Sequence, residues 1–229
     1  MAFQDDVRLA VQEYVENHLP DDQFYAKYFG FISDVDLRTR LEEEFRSARY
    51  IYKMLEGMQA KDWLLTAQVK VQILLYASIY EAVLHHVLFK NYADSPSVKN
   101  LLFYEHRKPI NISGDLKSKI QSHHQPSGAI KVYEIELKEM DERKIVFEDK
   151  ADAALALGLI DLKIRNIVCN VYSLRNAIHL HAELRRGIVY GIAEAREAYH
   201  YLQGFCQQVA ARLTVDGKVA QQSANQVVT

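Results

Sequence analysis

DWLLTAQVKVQILLYASIYEAVLHHVLFKN, residues 62–91, decides the fold class. Leu65, Val69, Ile73, Tyr76, Ala77, Tyr80, Val83, Leu84, Val87 and Leu88 recur at the period of an α-helix. Asp62 is the expected N-cap, because a carboxylate there can accept the first unpaired backbone N–H groups. The second half is apolar enough for a central helix. Its longest apolar run, ILLYASIYEAVLHHVLF, is interrupted by Glu81, His85 and His86, which argues against a membrane span.

Helical patterning continues on both sides. Residues 4–18 space Val7, Leu9, Val11, Tyr14 and Val15 at helical intervals, LPDD then breaks and caps, and a longer helix is expected from Asp34 to Met58. Downstream, ADSPSVKN ends the long helix. KPINISGD (108–115) and HHQPSG (123–128) read as loops around a short helix. The period then changes: Tyr133, Ile135 and Leu137 alternate with Glu134, Glu136 and Lys138. A small β-hairpin turning at MDERK into IVF is expected, with a short helix as the alternative. EDKADAALALGLI is helical to Gly158, and two last helices are expected over Asp161–Leu184 and Ile188–Leu213. The polar, small-residue tail 214–229 is expected to be flexible.

The fold class is therefore all-α with one polar insertion. Only nine glycines and four prolines interrupt 229 residues, which favours long helices. A net charge of −2 excludes a generally basic surface, so any nucleic-acid contact must be a local patch. Cys169 and Cys206 form no paired motif, and the opening MAFQDDVRLA has two acids where a secretory leader would be basic. A reducing, cytoplasmic location is the expectation.

The chemistry-bearing stretch is YSLRNAIHLHAELRR, residues 172–186. On a helix running unbroken through 161–184, Arg175 and His179 would lie about 40° apart, and His181 about 120° from Arg175. Asn176 would point most nearly outward. Such a set suffices to cleave RNA through its own 2′-hydroxyl without a metal. Histidine can serve as base and acid near neutrality, and arginine offers a fork of donors to phosphate oxygens. The competing reading is a polar edge on a buried helix, which spacing alone favours. Five basic residues against two acidic ones over 161–186 permit phosphate binding without requiring it.

LRNAIHLH resembles the signature of the HEPN superfamily (higher-eukaryote and prokaryote nucleotide-binding domains). That signature is an arginine, usually a following polar residue, and a histidine after four to six intervening positions. Arg175 to His181 fits with five between, whereas Arg175 to His179 has three and falls short. The surroundings extend the resemblance over residues 62–212: LLYASIYEAVLHHVL is similar to the early long helix, where Ser78 and Glu81 match recurring residues. IVFEDKADAALALGLI is similar to the segment before the signature helix in bacterial members.

The resemblance implies a HEPN-like helical bundle over 61–213, with an N-terminal helical extension at 1–60. It further implies a metal-independent endoribonuclease, a toxin or phage-defence effector leaving 2′,3′-cyclic phosphate and 5′-hydroxyl ends. The site would form at a homodimer interface, where paired signature helices bring two arginines and two histidines to one cleft. Arg175, His181, His179 and Asn176 would be catalytic, with Glu81 as an accessory. RNA is the implied substrate, a second copy the implied partner, and a small nucleotidyltransferase a candidate antitoxin; no cofactor, metal or membrane is expected. The alternative within the same family is a non-catalytic module binding a partner protein or nucleotide, since fold alone does not fix activity.

Other features carry less. Adjacent histidines on a helix, as at His85–His86, point apart, His124 falls in the expected loop, and neither His85–His86 nor His123–His124 has the further ligands of a tetrahedral site. Glu81, in an apolar face, should be paired, either with the signature arginine or histidine or with a lysine or tyrosine. The fourteen tyrosines, among them Tyr25, Tyr28, Tyr50 and Tyr52, read as amphipathic core edges rather than base-stacking platforms.

Overall fold

A computed structural model describes residues 4–124 and 131–219. The chain forms α1 (Asp5–His18), α2 (Asp22–Phe29), α3 (Val35–Gly57), α4 (Asp62–His86), α5 (Pro96–Leu102), β1 (Phe103–Ile110), α6 (Gly114–His124), β2 (Val132–Glu139), α7 (Phe147–Ala156), α8 (Leu162–Asn176), α9 (Leu180–Arg186) and α10 (Ile192–Val215). The fold is all-α with one small antiparallel strand pair. Among the described residues, those up to Ala93 together with those from Val146 onward form one compact unit, and those between Asp94 and Ile145 another.

Local chemistry sets the helix starts. The carboxylates of Asp21, Asp34 and Asp161 accept from the backbone N–H of Phe24 (3.0 Å), Leu37 (3.0 Å) and Ile164 (2.7 Å). Gly158 stops α7 with φ of 69°, a left-handed value that glycine adopts without strain. Lys61, not Asp62, stands at the N-cap of α4, its carbonyl accepting from Leu64 and Leu65. Asp62 is instead the first helical residue and takes a positive φ of 51°, so it serves the turn that leaves α3 rather than capping α4.

Asp161 also exchanges hydrogen bonds with Gln208 on α10, accepting from Nε2 at 2.8 Å and donating its backbone N–H to Oε1 at 2.8 Å. The Ile164 N–H and the Gln208 amide together hold this carboxyl below the usual range. A carboxyl depressed on folding stabilises the protein above the unfolded pKa and loses that contribution as pH falls through the folded one. Asp161→Ala should therefore cost about 1 kcal/mol at neutral pH. The gap between variant and parent should close in acid, and urea midpoints at several pH values check both statements.

In the larger unit, α4 is the central helix. Val69, Ile73, Tyr76, Ala77, Ile79, Tyr80, Val83 and Leu84 are buried, and α3, α7, α8 and α10 all pack against it. By length and composition Asp62–Asn91 could cross a membrane, but 61% of its most apolar window is buried inside the protein, as in a core helix. Tyr80 donates to the Ala198 carbonyl (2.6 Å) and meets the Phe205 ring edge-on, joining α4 to α10. The N-terminal helices belong to the same unit. Phe24, Tyr25, Tyr28 and Phe29 of α2 surround Phe45 of α3, which in turn meets Tyr76 and Tyr199. Tyr25 and Tyr28 thus pack as core-edge residues. Gly57 lets α1 approach α3, because a Cβ there would meet the Tyr14 ring at 2.7 Å.

A π turn, Val87–Asn91, ends α4. After it, the Tyr92 hydroxyl donates to Asp216 (2.7 Å) and the Asn91 amide donates to the Lys218 carbonyl (3.1 Å). The segment expected to be a flexible tail from 214 is therefore tied down through Lys218. Residues 220–229 lie outside the described residues.

The smaller unit corrects the strand reading. β2 carries the alternation seen at 133–138, but its partner is the upstream β1, in antiparallel register from Phe103↔Glu139 to Ile110↔Val132. Residues 108–110, read as loop, belong to β1, where Pro109 stands opposite Tyr133 near the end of a strand that has one unpaired edge. MDERK does not turn into a second strand. Arg143 folds back on Asp141 in a single 3-10 turn, and Phe147 starts α7. Part of the loop expected at 123–128 falls among residues 125–130, outside the described residues, and His123 and His124 end α6.

The helix expected over 161–184 is broken. α8 stops at Asn176 and α9 starts at Leu180, with His179 extended between them (φ −66°, ψ 127°). No proline or glycine causes this. The break seats Ile178 against a cluster of Val69, Ile73, Tyr190 and Ala195, and two side chains add donors to carbonyls of the last turn that also accept from the Ala177 N–H. Tyr190 donates to the Leu174 carbonyl (3.0 Å), and Arg186 donates to the Ser173 carbonyl (3.4 Å) and hydroxyl (3.0 Å). The same tertiary packing delays α10 to Ile192, past the expected Ile188, since Ile188 and Tyr190 serve this cluster.

Candidate functional site

Arg175 occupies the last turn of α8 and Glu81 the face of α4 that α8 covers. Their side chains form an ion pair at 3.6 Å, and each is about a third exposed, 32% and 31%. The Tyr172 hydroxyl donates to the other Glu81 oxygen at 3.2 Å. Tyr172 lies one turn before Arg175, so its ring also sits under the guanidinium, 4.9 Å from centroid to Cζ. The Tyr172 ring stacks on Phe147 of α7, 4.1 Å apart and 10° from parallel. Glu81 and the stacked tyrosine thus orient a guanidinium that still faces water. Both partner types considered for Glu81, the signature arginine and a tyrosine, are met at once.

Burial and the Glu81 charge push the Tyr172 hydroxyl above the ordinary tyrosine range. Glu81→Gln keeps the shape and removes the charge, so Tyr172 should titrate lower while staying above that range because burial persists. Difference titration against Tyr172→Phe isolates this one tyrosine. An unchanged titration would mean that the carboxylate does not act on it.

The break after Asn176 replaces the geometry expected of one continuous helix. Arg175 and His179 are not stacked one turn apart, and His181 is not on the opposite flank of the same helix. His179 is instead the N-cap residue of α9, and His181 lies in the first turn. Asn176, His179 and His181 are all exposed. Among the described residues no hydrogen bond or ion pair joins either imidazole to Arg175 or Glu81. The structure brings Arg175 and Glu81 together, sets Asn176 beside them in sequence, and leaves the histidines displayed on the next short helix.

That short helix is firmly placed. Glu183 accepts from Lys70 of α4 at 2.6 Å, a half-buried pair, and the Lys70 ammonium lies over the Tyr190 ring. With Arg186 on Ser173, α9 is tied to both α4 and α8. Of the basic residues in this region, Arg165 is paired with Asp152 and Lys163 lies over the Tyr201 ring, while Arg185 is exposed one turn after His181 on α9.

Sequence reading missed Tyr172, Phe147 and the Lys70–Glu183 tie. Tyr172 had a visible signal, a three-residue spacing to Arg175 that puts both on one helix face. The other two depend on contacts between distant segments. Ser78, matched to the family's small residue, is exposed and donates to the Leu74 carbonyl. Among the described residues no group of three or more His, Cys, Asp or Glu side chains is placed to hold a metal ion. His86 is buried, and desolvation lowers its pKa, whereas His85 packs on Phe89. No protein-family model matches the chain, and no curated protein or solved structure does either.

Proposed function

We propose that the protein is a metal-independent endoribonuclease of the HEPN type, a toxin or phage-defence effector that acts as a homodimer. The observation that carries the reading is the oriented, water-facing guanidinium of Arg175, held by Glu81 and Tyr172 and followed within six residues by exposed Asn176, His179 and His181.

The chemistry rests on those groups. An imidazole takes the proton of a ribose 2′-hydroxyl as its oxygen attacks the adjacent phosphorus. Arg175 donates to the phosphorane oxygens, and a second imidazole returns a proton to the departing 5′-oxygen. The products are a 2′,3′-cyclic phosphate and a 5′-hydroxyl. Each chain displays its histidines beside, rather than against, its own Arg175, so a two-fold pair would supply an imidazole from one copy to the arginine of the other. Asn176, at the open end of α8, would contact the phosphate or hold an imidazole tautomer.

The test is incubation of the pure protein with total RNA and with tRNA in excess chelator, then analysis of the product ends, with size-exclusion measurement of the oligomeric state. Cleavage to cyclic phosphate by a dimer supports the reading; absence of cleavage on every RNA removes it.

One observation favours the second reading, a non-catalytic module that binds a partner protein or nucleotide. Arg175 is already engaged by a carboxylate, and among the described residues no imidazole is bonded to the cluster. That reading predicts no turnover, with partner or dimer affinity that falls on substitutions over residues 175–182.

A further inference from the structure

The three longest helices of the larger unit, α3, α4 and α10, leave a cleft of about 270 Å³ between them. Arg49, Gln72, Tyr76, Arg196, Tyr199 and His200 line it. Two polar atoms here have no partner among the described residues. Gln72 is only 2% exposed; its amide nitrogen donates to the Ala48 carbonyl at 3.4 Å, which fixes the amide orientation and leaves Oε1 as a buried acceptor without a donor. The buried Nε–H of Arg49 likewise has no acceptor. Orphaned buried groups are rare in folded proteins because leaving them unmade is costly, and a pair of them in one cleft marks a place where something else completes the bonding.

The charge of the cleft says what that something is. Among the described residues neither Arg49 nor Arg196 forms an ion pair, and no carboxylate lines the walls. The Arg49 guanidinium lies over the Tyr199 ring at 4.6 Å, with Tyr52 at 5.9 Å on the same cation, so its planar fork is held in place. Arg196 and His200 stand exposed at the mouth. An acceptor with negative charge suits the two arginines, and a hydrogen-bond donor suits Gln72 Oε1. The volume suits a small molecule.

We propose that this cleft binds a small organic anion, a carboxylate or a phosphate monoester, that also carries an N–H or O–H donor. The anion meets Arg49 and Arg196, and the donor meets Gln72. The site is separate from Arg175 and does not rest on the nuclease reading.

Thermal unfolding and titration calorimetry on the full chain test it, with uridine 5′-monophosphate, 4-hydroxybenzoate and inorganic phosphate as probes at millimolar concentration. The first two separate a phosphate ester from a carboxylate, and the third tests the anion alone. At least one organic probe should raise the unfolding temperature and bind more tightly than inorganic phosphate. Gln72→Leu and Arg196→Ala should each weaken that probe about tenfold, whereas Arg175→Ala should leave it unchanged. Ligand-free Gln72→Leu loses the long Ala48 bond together with the orphaned acceptor, so its unfolding temperature should lie close to the parent's. The proposal is overturned if no probe moves the parent protein or if parent and Gln72→Leu respond alike.

Discussion

On the proposed nuclease reading, Arg175→Ala should leave the protein folded and slow RNA cleavage in chelator on the order of 10²- to 10³-fold, the usual loss when one preorganised donor to a developing oxyanion is removed. The two halves of this expectation have separate physical grounds. Arg175 is a third exposed, so its loss opens no cavity, and Glu81 keeps the Tyr172 hydroxyl as a donor and its own access to water. Stability should therefore change little. The loss expected on that reading is large because Glu81 and the Tyr172 ring already hold the guanidinium in place. Arg175→Lys should recover only a fraction of the rate, since an ammonium presents no planar fork. Parallel His179→Ala and His181→Ala assays identify the working imidazole. Equal cleavage by all of these variants and the parent would place the chemistry elsewhere.

Phe45→Ala should destabilise the protein by about 3–5 kcal/mol, the range for truncating a fully buried aromatic. Phe45 is fully buried, and its ring is met by Phe24, Tyr25, Tyr28 and Phe29 from α2, Tyr76 from α4 and Tyr199 from α10. The alanine would leave a void that rings anchored on three other helices cannot easily collapse into. Chemical denaturation should show one cooperative transition shifted to lower denaturant, because α2 and α3 share a core with α4 and α10. A separate early transition, with the rest unfolding as before, would show that the N-terminal helices are an independent appendage.

The features legible in the sequence are those that local physics controls. The 3.6-residue period of α4 was legible because a helix buried on one side must repeat its apolar residues. The cap within LPDD was legible because a short carboxylate before an apolar run has one favourable use, but the same rule misplaced Asp62, where Lys61 holds the N-cap position. The alternation at 133–138 announced a strand for a similar reason. Its partner was not announced: FYEHRKPI has no clean period of two and contains a proline, so nothing local marks it as the mate of β2. Neither was the break at 177–179, where helix propensity is unremarkable and the decision belongs to Ile178, Tyr190 and Arg186 acting from outside the helix. That break is why Arg175 and Glu81 could be brought together from sequence, as neighbours on packed helices, while the placement of His179 and His181 relative to them could not.

The π turn at the end of α4 has a consequence for how the molecule comes apart. Inserting one residue into the helical winding rotates the residues beyond it, and here Asn91 and Tyr92 meet Lys218 and Asp216, just past the end of α10. A helix at the end of a folded region ordinarily frays first, its last carbonyls exchanging with solvent at little cost. This one is clasped from the end of the central helix, so amide hydrogen exchange in its last turn should be slower than fraying alone would give, and Tyr92→Phe should speed it.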